Sequence, residues 1–170
     1  MTCWHSHCKL RTGMRKTFVA YKKLRYFSIT PRLQRLFMSP KIVGHMTWHH
    51  SYDAIDGVMV HPSDDEAWKY FNNVHPHFSA ESRNAYFELC IEGFNLFGLF
   101  ATPYSCWPII LTVYNLPPEM CMRPEFMFLS MVIPGPNSLS RNIDVCLRSL
   151  IEELTQLWSL RVLTYDISRK

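Results

Sequence analysis

The sequence predicts a mixed α+β fold in which a three-stranded antiparallel meander is followed by one long helix. Three short apolar segments that end at glycine, asparagine or proline predict the strands. An apolar stripe at helical spacing near the carboxyl end predicts the helix. We expect a basic, poorly ordered arm over residues 1–23, a short helical region over 24–80 and a partial α+β domain over 81–170.

The helical region should contain three helices, of which two have readable start signals. Thr30 is a candidate N-cap because Pro31 suits the first turn of a helix. A second helix is predicted over residues 40–49. Ser63, with a glutamate three residues later, has the pattern of a capping box and predicts a third helix that ends before Pro76. The acidic residues 64–66 then lie in a first helical turn, where the helix dipole favours negative charge.

The meander is predicted from strands over residues 84–92, 107–114 and 126–133. Gly93, Gly98 and Pro103 should mark the first turn, and Asn-Leu-Pro-Pro over 115–118 should end the second strand, because proline cannot donate to a ladder. The long helix is predicted over 142–159, with Asn142 as N-cap and an apolar stripe for the core. Residues 161–166 are predicted to begin a further strand.

Composition restricts the class of protein. The chain has 170 residues, 48% of them hydrophobic, which is enough for one domain with a real core. No run of 18 apolar residues and no signal-peptide pattern is present, so we expect an intracellular protein that does not enter a membrane. Neither a phosphate-binding glycine-rich loop nor a nucleophile elbow occurs, and no small-molecule substrate is indicated. Six irregularly spaced cysteines favour reduced thiols over a disulfide framework.

The charge distribution favours a polyanionic partner. Residues 1–52 contain ten Lys or Arg and no acidic residue, whereas residues 53–170 contain eight basic and fourteen acidic residues. A basic arm before an acidic body is common in proteins that bind nucleic acid, although a solvated arm without a partner has the same pattern. The candidate DNA-binding residues are Arg11, Arg15, Lys16, Lys22, Lys23, Arg25, Arg32 and Arg35.

Metal and nucleophile chemistry have weaker signals. Cys3 and Cys8, with two histidines between them, have zinc-ligand chemistry but are too close in sequence to close a tetrahedral site without ligands from elsewhere. The remaining cysteines, at positions 90, 106, 121 and 146, are predicted to be small buried hydrophobic residues. His49 and His61 are predicted to be polar core or turn residues.

Carboxylates remain as candidates for phosphodiester chemistry. Two-metal catalysis holds Mg²⁺ or Mn²⁺ between Asp or Glu side chains that are close together, and these hard ions prefer oxygen ligands. Glu92 is the best-placed candidate, since it ends the first predicted strand. A lone acid at that place is also an ordinary strand-end residue.

A family resemblance adds to this. Residues 104–122 read YSCWPIILTVYNLPPEMCM, which resembles a block of the plant En/Spm, or CACTA-type, transposases. Further blocks occur in the same order over roughly residues 22–168. The resemblance implies a ribonuclease H-like domain whose acids hold Mg²⁺ or Mn²⁺ to cut and join DNA. It also implies a nuclear protein, with DNA and a full-length transposase as partners.

The departures from that family predict a loss of catalysis. Its first acid lies in a segment of the form Asp-Gly-Phe-Asn-Pro-Phe, and this chain has Glu92 for the aspartate and Leu96 for the proline. The other family acids are expected after Asp166, and the chain ends at Lys170. We therefore expect a truncated transposase remnant without catalysis. The alternatives are a non-catalytic nucleic-acid-binding module that uses the basic arm, and a chain that does not fold alone.

Overall fold

The computed structural model describes residues 8–11, 17–20, 23–95, 105–135 and 143–169. The strands within these ranges are β1 (Cys8–Arg11), β2 (Thr17–Ala20), β3 (Arg25–Tyr26), β4 (Phe87–Ile91), β5 (Phe94–Asn95), β6 (Ser105–Val113) and β7 (Met127–Pro134). The α-helices are α1 (Thr30–Met38), α2 (Trp48–Ser51), α3 (Glu66–Val74), α4 (Pro76–Ser79), α5 (Pro118–Cys121) and α6 (Ile143–Leu160). Short 3₁₀ turns cover Val43–Thr47, Pro62–Asp64, Pro124–Phe126 and Ile167–Arg169. None of the described helices is both long and apolar enough to span a membrane.

The predicted mixed α+β class and its antiparallel meander are confirmed. The main sheet has the order β3-β7-β6-β4, all antiparallel, and β5 pairs with the far end of β6. The register of β6 against β7 shifts between Ile109 and Ile110, which makes Ser130 the extra residue of a bulge. Strand β3 was not predicted, because two residues are too few to show a period. Within the segment predicted to be a poorly ordered arm, β1 and β2 pair as an antiparallel hairpin.

The core lies between the sheet, the segment from Ile29 through α1 to the 3₁₀ turn Val43–Thr47, and α6. Alternate residues of the central strand β6 (Ile109, Leu111 and Val113) are almost inaccessible to solvent, and Leu150 of α6 belongs to the same cluster. Thr112 between them is also buried, in agreement with the continuous β-branched and apolar run that predicted the strand. The stripe of α6 is only partly buried, since Trp158 remains 52% exposed.

Several local predictions were wrong. Residues 40–49 form a 3₁₀ turn followed by the short helix α2, and not one helix. The capping box belongs to His61 and Asp64 of the preceding 3₁₀ turn, so Ser63 does not cap α3. Residues 161–166 form no ladder with the described strands, and Arg161, in a left-handed conformation (φ 57°), ends α6.

Candidate functional site

Glu92, the candidate acid, lies inside the β4–β5 arm, which consists of β4 followed by β5 (residues 87–95), and not at the end of that arm. Strands β4 and β5 pair with β6 in one continuous register, which places Glu92 opposite Pro108. Proline has no backbone N–H, so the ladder is interrupted there. The arm continues to Asn95, so Gly93 does not belong to the predicted turn, whose other two residues, Gly98 and Pro103, lie outside the described residues. The Glu92 side chain is exposed to solvent.

Gly93 has a packing role in this arm. It lies opposite Trp107, whose ring crosses the glycine backbone so closely that a Cβ atom at position 93 would lie 2.6 Å from the indole. Any side chain at this position would force the ring to move. The glycine that follows Glu92 therefore serves contact between two strands and does not serve a turn.

The other acids near the sheet are bonded elsewhere. Glu88 accepts a hydrogen bond from the hydroxyl of Tyr114, and Asp166 forms an ion pair with Arg83. All fourteen acidic residues lie in the described ranges. Among the residues of those ranges, no three His, Cys, Asp or Glu side chains are grouped as metal ligands. This donor set does not fit a two-metal centre, which needs several carboxylates around the same ions.

Glu153 of α6 joins the long helix to the amino-terminal end of α1. Its carboxylate accepts hydrogen bonds from the Ser28 hydroxyl (2.5 Å), the Thr30 hydroxyl (2.6 Å), and the backbone N–H groups of Thr30 (2.9 Å) and Ile29 (3.1 Å). The Tyr26 hydroxyl also donates to it. Thr30 is thus the first residue of α1 and not its N-cap, and Glu153 satisfies the free N–H groups of the helix instead.

The electrostatics of Glu153 follow from these contacts. Partial burial alone would raise the pKa of the carboxyl, but hydrogen bonds from Ser28, Thr30 and Tyr26 outweigh it and lower the pKa to about 2. Burial, together with the bond to Glu153, raises the pKa of the Tyr26 phenol. Glu153 is therefore ionised at every physiological pH, and α1 begins on a fixed negative charge.

Asn115 is a second structural centre, within the Asn-Leu-Pro-Pro segment. The residue is fully buried. Its amide nitrogen donates to the carbonyls of Asn84 (2.8 Å) and Met46 (3.2 Å), and its amide oxygen accepts from the N–H of Tyr86 (2.9 Å). These bonds join the end of β6 to the start of β4 and to the 3₁₀ turn before α2. The most distinctive segment of the sequence is thus a packing junction.

His61 lies in an aromatic cluster beside this junction. It is 2% exposed, and its Nδ1 accepts from the N–H of Ser63 (3.1 Å), so the neutral ring is favoured. Its Nε2 lies 3.9 Å from the Cys121 sulfur, whose S–H donates to the carbonyl of Leu116. Burial raises the pKa of the Cys121 thiol to about 11. The histidine and cysteine therefore do not form a nucleophile pair, because the thiol stays protonated.

Stability should fall as the pH drops from about 6.5 to 4 because of His49 and His61. Burial lowers the pKa of His49 to about 4 and also lowers the pKa of His61. Both rings bind a proton more readily in the unfolded chain, near pH 6.5, so acid favours unfolding. We expect His49 to contribute about 1–2 kcal/mol between pH 7.5 and 5, after allowance for its partial exposure.

Thermal melts at both pH values check this. The His49→Gln variant should lose less stability on acidification than the wild type, whereas His45→Gln should not differ from it, because His45 is exposed. Equal pH slopes for the three proteins would contradict the assignment.

The basic candidates have different surroundings. Lys23, Arg25 and Arg35 are exposed to solvent. Arg32 instead donates to the backbone carbonyls of Ser28, Leu129 and Phe27 at 2.8–3.0 Å and lies over the Phe128 ring. Its guanidinium therefore serves the fold. Arg11 is in β1, where only the backbone is described, and Arg15, Lys16 and Lys22 lie outside the described residues.

The cysteine predictions are partly confirmed. Cys106 and Cys121 are buried free thiols, and Cys146 is half-buried. Cys90 is exposed, so its prediction as a buried residue was wrong; it lies on β4, which is at the edge of the sheet among the described strands. Of the two zinc candidates, Cys3 lies outside the described residues, and the backbone of Cys8 is in β1.

Comparison with known families decides the identity. The family model described as "Transposase family tnp2" matches residues 56–170, which is more than half of the chain. The chain belongs to the transposase family tnp2. Neither the curated proteins nor the solved structures gave a match. The matched region of this tnp2 chain contains Glu92, Asn115 and Glu153.

Sequence reasoning missed both structural centres of the tnp2 chain. Asn115 was read as a strand terminator, and Glu153 as one acid of an amphipathic helix. A polar residue directly after a buried apolar strand, as at position 115, was a usable signal. No local sequence pattern indicated the role of Glu153, because its hydrogen-bond partners lie more than 120 residues away in sequence.

Proposed function

We propose that this chain is part of a CACTA-type transposase domain with a ribonuclease H-like sheet, that it binds DNA through its basic amino-terminal residues, and that it does not cut DNA by itself. Membership of the transposase family tnp2 carries the proposal. The protein is then nuclear, and it acts on DNA together with a full-length transposase.

The arrangement of the sheet supports the ribonuclease H-like part. Such a domain opens with three antiparallel strands in sequence order, followed by a helix that packs on the sheet. Here the arm of β4 and β5, then β6 and β7, form such a meander, and α6 packs on it through Leu150.

The surroundings of Glu92 support the absence of cutting. Glutamate at this position carries its carboxylate about 1.5 Å further from the backbone than aspartate does, and a misplacement of that size reduces rates about 100-fold. The neighbouring acid Glu88 is held by Tyr114, and Asp166 is held by Arg83. A metal-dependent step would therefore require Glu88 and Asp166 to exchange these contacts for a metal ion.

The charge of the first 52 residues supports DNA binding. Ten cations without an acid generate a strong positive potential. The exposed side chains of Lys23, Arg25 and Arg35 contribute to it from β3, its preceding residues and α1. Contacts with phosphates release counterions, so binding should weaken steeply with salt.

Fluorescence anisotropy with a labelled duplex tests the binding. A plot of log affinity against log salt should be steep, and the double variant Arg25→Ala/Arg35→Ala should make its slope shallower by about 2, since each phosphate contact contributes about 1. The matched control, Arg123→Ala/Arg148→Ala, removes the same charge from exposed residues outside the basic segment and should leave the slope unchanged. If the two double variants change the salt slope equally, the basic amino-terminal residues are not the DNA interface.

A nicking assay with terminal-repeat DNA and Mn²⁺ tests the absence of cutting. Wild type and Glu92→Gln should both leave the DNA intact. Cleavage by the wild type that disappears in Glu92→Gln would overturn this part of the proposal, while leaving the binding result unaffected.

A further inference from the structure

We propose that Ser28 is a phosphorylation site and that a phosphate on it detaches α6 from the amino-terminal end of α1. Ser28 lies between β3 and α1 and is exposed, so its hydroxyl is accessible. The same hydroxyl donates to Glu153 at 2.5 Å. A modification of this oxygen therefore acts directly on the contact that joins the two helices.

The surrounding charges suit a basophilic protein kinase. Arg25 precedes Ser28 by three residues and is exposed, and kinases of this class read a basic residue at that distance with acidic groups of their own. In the reaction the Ser28 oxygen forms a bond to the terminal phosphorus of a nucleoside triphosphate. The bond to the nucleoside diphosphate breaks, and the hydroxyl proton passes to the kinase.

The phosphate and Glu153 are mutually exclusive at this place. The pKa of Glu153 is about 2, so its carboxylate is charged at neutral pH. A phosphoserine adds nearly two negative charges and removes the hydroxyl proton that bonded Glu153. Repulsion at a distance near 2.5 Å then expels one of the two groups.

The phosphate is the group that stays on α1. It is covalently attached two residues before that helix, where the N–H groups of Ile29 and Thr30 favour an anion. The Arg32 guanidinium is adjacent, because its Nε donates to the Ser28 carbonyl at 3.0 Å. Glu153 then loses its hydrogen bonds to these groups, and α6 loses this contact with the start of α1.

Treatment of the purified chain with a basophilic kinase and Mg-ATP tests this, with the site located by mass spectrometry. We expect phosphate at Ser28 and a melting temperature lower by about 4–8 °C, given that about 2–4 °C corresponds to 1 kcal/mol in a chain of this size. In a Glu153→Gln background the phosphate should change the melting temperature by less than half as much. No phosphate at Ser28, no shift, or equal shifts in both backgrounds would each overturn the proposal.

A second pair of variants covers the case in which Glu153→Gln does not fold. Ser28→Asp places a negative charge against Glu153, whereas Ser28→Asn has the same size without the charge. Ser28→Asp should melt several degrees below Ser28→Asn near pH 7. Equal melting temperatures for this pair would contradict the repulsion on which the proposal depends.

Discussion

Replacing Asn115 by aspartate should lower the free energy of unfolding by about 3–5 kcal/mol. The two side chains have the same shape, so packing does not change. The donors to the carbonyls of Met46 and Asn84 are lost, and a carboxylate faces those two oxygens in a site closed to water. Such a group avoids charge only by keeping its proton.

Denaturant unfolding measures this loss, which approaches the whole stability of an ordinary domain. The variant should be less unstable at pH 5 than at pH 8, because protonation removes the buried charge. Asn73→Asp is the matched control: Asn73 is exposed on α3, and a change there should stay within about 0.5 kcal/mol. If the two variants unfold at the same denaturant concentration, Asn115 does not hold the junction described above.

Glu153→Gln should lower the free energy of unfolding by about 2–3 kcal/mol. Glutamine keeps the length of the side chain but replaces one acceptor oxygen with an amide that donates. Each carboxylate oxygen of Glu153 accepts at least two hydrogen bonds, so either orientation of the amide leaves donors facing a donor. The start of α1 then has N–H groups without partners.

The pH dependence separates this contact from general packing. The pKa of Glu153 is about 2 in the folded protein and near 4.5 without these contacts, so its contribution is present above pH 4.5 and is lost as the pH falls toward 2. The difference between wild type and Glu153→Gln should therefore shrink over that range. Glu152→Gln, which changes the exposed neighbour, should match the wild type throughout.

The sequence predicted the elements whose periods extend over many residues. The strands β6 and β7 are continuous apolar runs bounded by turn residues, and α6 shows an apolar stripe over five turns, so their positions were predicted to within about two residues. Hydrophobic burial alone sets these elements. The arm of β4 and β5 was cut short in the prediction, because Gly93 is a turn residue in most contexts and here lies under an indole ring.

The helix caps and the surroundings of Glu92 could not be predicted from local sequence patterns, because residues distant in sequence determine them. Thr30 has the chemistry of an N-cap, but Glu153 supplies the acceptor. Ser63 was predicted to cap α3, but Asp65 occupies that place, and the His61 ring caps the preceding 3₁₀ turn by accepting the Ser63 N–H. Glu92 was singled out as the acid that ends the first predicted strand, and its role stays a prediction. Its setting opposite a proline depends on the register of β4 and β6, which no local pattern reveals.

That proline has a mechanical consequence. The hydrogen bonds between paired residues hold the β4–β5 arm against β6, and the pair at Pro108 lacks one donor because proline has no N–H. The inner half, Phe87–Ile91, packs on the core through Phe87 and Ile91, and Gly93 lies against the Trp107 ring. Glu92 lies between these two contacts, so packing at its neighbours, and not a complete pair of hydrogen bonds to β6, sets the position of its backbone.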